Sequence, residues 1–145
     1  MNNIGIIGVF ILLVICTLED IKSKKIVTWH CIMVLPFLLL DIGFNQSVTV
    51  LARLIGLLIG SSFFVLSKLT KEQIGIGDAY VITAIGLLLG GLRCFEIITY
   101  SFLLSSFIAI ILMVVFKFSK KRSIPFIPIL LLGFLCSLVL GGTAK

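Results

Sequence analysis

Charge is scarce in this chain. Only 12% of its 145 residues are Asp, Glu, Lys or Arg, while 60% are hydrophobic and the mean hydropathy is +1.31. A soluble domain of that length leaves much of its surface in water and cannot hide so much apolar area. The composition excludes an ordinary soluble domain. It predicts one all-α integral membrane domain over residues 1–145, with the lipid bilayer as its solvent.

Other absences narrow the chemistry. Cys16, Cys31, Cys94 and Cys136 are scattered through apolar runs with no Cys-x-x-Cys spacing, which leaves neither a zinc site nor a disulfide framework. They suit the role of small buried hydrophobes. The single histidine, His30, is better explained as a satisfied polar residue than as a ligand, so neither a metal nor a cofactor is expected. No basic region precedes Ile4–Leu18 and no small-x-small cleavage site follows it, so this stretch is expected to stay as a first span. Internal repeats and low-complexity linkers are also missing.

Six apolar segments can be drawn: Ile4–Leu18, Ile26–Gly43, Val48–Leu69, Gly77–Leu92, Cys94–Phe118 and Ile124–Gly141. A full span needs about 20 apolar residues. The third and fifth qualify easily, and the first and fourth are short. The fourth gains spanning length only by taking in Ile74 to Asp78, which sets Asp78 below the membrane surface.

The net charge is +6, yet the basic residues sit in short loops between spans, which excludes a nucleic-acid partner. Lys22, Lys24 and Lys25 follow the first segment, Lys68 and Lys71 the third, and Lys117, Lys120, Lys121 and Arg122 the fifth. These are nine of the twelve basic residues, all on one side. By the positive-inside rule that side is cytoplasmic, which puts both termini outside and brings Asp20 and Asp78 to the cytoplasmic face. Trp29 suits the interface at the start of span two. Pro36 is expected to kink that span, whereas Pro125 and Pro128 stand where a helix start tolerates proline. Gly56 and Gly60, and Gly86 and Gly90, have the spacing of close helix contacts, and Gly86→Ala is expected to be far milder than Gly77→Val because alanine also suits such packing.

Acids within such a chain are expensive and mark function. Asp20 ends the first apolar run, and Gly75-Ile76-Gly77-Asp78 heads the fourth. Two carboxylates that share a proton can activate water for peptide hydrolysis. Gly75 and Gly77 would let an extended substrate approach Asp78. Plainer roles exist: Asp78 as an N-cap, and Glu19-Asp20 as a solvated helix end. Lys22, Lys24 and Lys25 favour ionisation of Asp20. Asp41 and Glu96 fall toward the outer face as solvated acids, and Glu72 is read as a solvated loop acid.

Asp20-Ile-Lys-Ser-Lys-Lys-Ile26 resembles the first motif of the type IV prepilin peptidases, an aspartate followed six positions later by Ile-Pro-Asn or a variant. Gly75-Ile-Gly-Asp78 and the helix to Gly90 are similar to their second motif, and Ile124-Pro-Phe-Ile-Pro128 to their Pro-Phe-x-Pro start of the last span. The resemblance implies Asp20 and Asp78 as catalytic aspartates. It also implies metal-free removal of the basic leader of prepilin or pilin-like proteins at the cytoplasmic membrane face. Val27-Thr28 replace the usual Pro-Asn, and Tyr80 stands where many members carry lysine. The larger members' paired Cys-x-x-Cys region is missing, so a small, peptidase-only member without methyltransferase activity is expected.

The sequence also admits two rival readings. Presenilin-like or signal-peptide-peptidase-like proteases also use Gly-x-Gly-Asp, but their Tyr-Asp and Pro-Ala-Leu strings are missing here. A proton-coupled membrane carrier would explain a buried Asp78, but not the match with Asp20 and the glycine loop at one surface.

Overall fold

The computed structural model describes residues 3–23, 34–44, 48–70, 75–115 and 126–141. They form six α-helices and, among the described residues, no strand: α1 (Asn3–Ser23), α2 (Val34–Phe44), α3 (Val50–Leu69), α4 (Ile76–Leu89), α5 (Gly91–Val115) and α6 (Ile127–Gly141). The all-α polytopic architecture expected from the sequence is the one observed. Helix α3 and the Gly91–Leu112 part of α5 are long and apolar enough to cross a bilayer, whereas α4 and α6 are shorter apolar helices. Trp29, His30, Glu72 and Pro125 lie outside the described residues.

Helix α4 is the hub. It packs on α1, α2, α3 and α5, while α6 closes against α1 and α5. Val81, Ile82, Ile85 and Leu88 of α4 meet Leu13 and Cys16 of α1, Ile97 of α5, and Leu130 and Phe134 of α6 in a buried core. Leu58, Leu103, Phe107 and Val114 point outward and are mostly exposed. An apolar exterior around an apolar interior is the pattern lipid permits and water does not.

Because hydrocarbon lipid gives helices no hydrophobic reason to associate, close van der Waals packing must hold them. Gly56 of α3 and Gly86 of α4 face each other, and a Cβ on Gly86 would lie 2.6 Å from the Gly56 carbonyl oxygen. The glycine spacing noticed in the sequence marks a real contact. Its expected tolerance of alanine at Gly86 is overturned, because the colliding atoms are backbone and cannot rotate away.

Gly90 has a different job from Gly86. Its φ of +84° lies in the left-handed region, so α4 stops at Leu89 and α5 begins at once with Gly91. The fourth segment therefore ends three residues sooner than its apolar run to Leu92 suggests. At the other end of the first segment the error runs the opposite way. Helix α1 continues through Glu19 and Asp20 to Ser23. Pro36 and Pro128 fall at the third and second described residues of α2 and α6.

Asp41 is not solvated. It is fully buried and ion-paired with Arg53, which is itself buried. The guanidinium also donates to the Leu87 carbonyl at 2.9 Å, tying the ends of α2, α3 and α4 together. A buried arginine satisfied by a carboxylate and a carbonyl is the form in which such a charge is tolerated. Glu96 likewise has a partner, Arg93 one turn away at 3.1 Å, and keeps a partly exposed side chain.

Candidate active site

Asp20 and Asp78 reach the same end of the bundle from different helices. Along α1, Leu13, Cys16 and Asp20 recur at helical spacing and all are buried, so the aspartate continues the apolar face turned to the core. Asp78 lies in the first turn of α4, and α1 packs directly on α4. The two carboxylates are close enough for their charges to interact. Asp20 is 8% exposed and Asp78 is half-buried. The solvated-helix-end account of Asp20 fails on that burial.

The local geometry of Asp78 follows from its position three residues into the helix. Gly75, not Asp78, is the N-cap. The Gly75 carbonyl accepts from the Asp78 amide at 3.0 Å, and the Asp78 carboxylate lies back toward Gly75. An acid at the third helical position stands where the return half of a capping box is found. A Cβ on Gly75 would stand 3.2 Å from Asp78 Oδ2, so the glycine also leaves the carboxylate room to fold back. An acid here also lies at the favourable end of the helix dipole.

Other side chains belong to the same helix ends. Tyr80 is exposed and meets Phe64 of α3 edge to face, with centroids 4.7 Å apart. Ser67, in the last turn of α3, is buried. Thr17 of α1, one turn before Asp20, has a buried hydroxyl oxygen. Sequence reasoning passed over Thr17, because an isolated threonine in an apolar run carries no local signal. Among the described residues, no group of three or more His, Cys, Asp or Glu side chains has the arrangement of a metal site.

Two acids brought from separate membrane helices to one protected end, beside a glycine-bounded helix start, have the chemical equipment of a membrane aspartic peptidase. A model of the type IV leader peptidase family matches residues 7–114, about three quarters of the sequence, and the chain belongs to that family. It is an aspartic peptidase of the prepilin type, in a helical membrane fold. The matched stretch contains Asp20, Gly75, Gly77 and Asp78, while the Pro-Phe-x-Pro resemblance lies beyond it. Comparisons with curated proteins and with solved structures give no match. Family membership displaces the presenilin-like and carrier readings.

Proposed function

We propose that this chain removes the basic leader of prepilin or pilin-like proteins at the cytoplasmic face of the membrane, with Asp20 and Asp78 as its catalytic pair. One observation supports the assignment: Asp20 near the end of α1 and Asp78 in the first turn of α4 sit on two helices that pack on each other, at one end of the bundle. Two carboxyl groups brought side by side hold one proton between them more readily than two charges.

In that state the chemistry of hydrolysis is available without further groups. The ionised carboxylate takes a proton from water as the oxygen attacks the scissile carbonyl, and the protonated partner gives its proton to the carbonyl oxygen. The new C–O bond makes a tetrahedral carbon. Collapse breaks the C–N bond as the proton taken from water passes to the leaving amine, and a hydroxyl proton of the tetrahedral carbon returns to the carboxylate that donated it. Gly75 and Gly77 keep side chains out of the path by which an extended chain would approach Asp78.

The orientation belongs to the same proposal. Nine of the twelve basic residues fall in the loops after spans one, three and five, which favours that side as cytoplasmic. Both aspartates stand at the α1 C-terminus and α4 N-terminus, the ends adjoining those loops. The whole chain then acts as a single membrane-embedded peptidase domain with both termini outside.

The test is co-expression with a pilin-like substrate carrying a basic leader. Wild type should remove the leader. Asp20→Asn and Asp78→Asn should each abolish removal at wild-type membrane levels, since an amide neither accepts nor returns the proton. Near-normal turnover in either variant would take that residue out of the mechanism.

A further inference from the structure

We propose that the Thr17 hydroxyl hydrogen-bonds the main chain of the bound substrate beside the catalytic pair, making Thr17 a substrate-positioning residue. The inference rests on Asp20 and Asp78 being that pair. Its starting point is an inconsistency among the helix hydroxyls. Thr70, Thr83, Thr99 and Ser101 each donate to the carbonyl four residues earlier, at 2.7–2.8 Å. This back-bond is how a hydroxyl is normally satisfied in an apolar helix.

Thr17 does not make it. Its Oγ1 is buried and has no hydrogen-bond partner among the described residues. Leaving a buried hydroxyl unbonded costs stability, and valine, of the same shape, would avoid the cost. Thr17 is also placed for use. It precedes Asp20 by three residues on α1, so the two side chains are neighbours on the helix surface. It flanks the buried Leu13–Cys16–Asp20 face that packs on α4.

An extended peptide drawn into a site at membrane depth brings one amide donor and one carbonyl acceptor per residue, all of which need partners. A hydroxyl both donates and accepts, and so serves either group. Neither carboxylate can do this while occupied with water and the scissile carbonyl. Thr17 is an uncharged group on α1 able to do so, one turn from Asp20.

The experiment measures kcat and KM for leader removal from a purified pilin-like substrate, with the full-length enzyme in detergent or liposomes. Thr17→Val, Thr17→Ser and Asp20→Asn are compared with wild type, and each protein's thermal stability is recorded. Thr17→Val should hold or gain stability while KM rises about tenfold, the scale of one lost hydrogen bond to substrate. Thr17→Ser should stay close to wild type on both counts. Unchanged kinetics in Thr17→Val would overturn the proposal. So would equal damage from serine and valine, or a fall in kcat with KM untouched, which would tie the hydroxyl to the carboxylates instead. An active Asp20→Asn would sink the catalytic pair itself, whatever Thr17 does.

Discussion

Gly56 and Gly86 press α3 and α4 together backbone to backbone, and a methyl group on either would collide with the other's main chain. Cavities can relax, but this contact has no side chain to move aside. Gly86→Ala should therefore lower stability by about 1–3 kcal/mol, the usual cost of overpacking. Thermal unfolding in detergent, with Gly43→Ala as the unobstructed control, measures it, since nothing stands within 4 Å of a Cβ at Gly43. Equal melting of the two variants would show that α3 and α4 separate freely.

The aspartates should behave as one unit. If Asp20 and Asp78 share a proton, removing either carboxyl disables the other, and the Asp20→Asn/Asp78→Asn double variant should be little worse than either single. Single-turnover cleavage provides the residual rates. Multiplying losses would mean that the two residues act independently.

The glycine pair ahead of Asp78 separates two kinds of damage. Gly75→Ala places a Cβ 3.2 Å from the Asp78 carboxylate, which has to shift by a few tenths of an ångström. A partial loss of kcat is expected. Gly77→Val adds a β-branched side chain within the first turn of α4, beside the approach to Asp78, and should destroy cleavage with both carboxylates intact. Leader removal at matched membrane levels compares them. Full activity in Gly77→Val would reduce that glycine to a helix-start preference.

At the far end of α4 the prediction concerns folding alone. Arg53→Met strands the Asp41 carboxylate in the interior and should cost about 3–5 kcal/mol, whereas Asp41→Leu/Arg53→Met should recover most of it. Leu87, which the arginine holds, is nine residues from Asp78, about 14 Å along the helix. Cleavage by the folded fraction should thus be unaffected. Loss of turnover in a stable double variant would place the ion pair in the mechanism.

Topology is tested by cysteine labelling in a background whose native cysteines are replaced. A cysteine at Lys121 should label from the cytoplasm and one at Gln46 from outside. The reverse pattern would put Asp20 and Asp78 on the side where no uncleaved leader remains.

Much of this was legible in the sequence because membrane folds write their rules locally. Spans three and five announced themselves by length, and Asp20 and Asp78 by the cost of an acid in apolar surroundings. What escaped was tertiary. Asp41 and Arg53 belong to different helices, and nothing beside either residue signals that the other will cover it. Charged residues at 19, 20 and 22 resemble a loop, yet burial of Asp20 against α4 draws the helix on to Ser23. The run Leu87–Leu92 is uninterrupted in hydropathy, so only the left-handed φ of Gly90 reveals where one helix ends. The glycine spacing in α3 and α4 was visible, but not that Gly56 would oppose Gly86.

The length of α4 has a mechanical consequence. Its 14 residues, stopped by Gly75 at one end and Gly90 at the other, rise about 21 Å against a hydrocarbon thickness of about 30 Å. A helix bounded on both sides by its own caps cannot wind a further turn to make up the difference. The shortfall of about 9 Å falls to the surroundings, as a dimple of water above the site or a pinched bilayer. A helix of that length matches a bilayer only where the hydrocarbon layer thins or water reaches in at its ends.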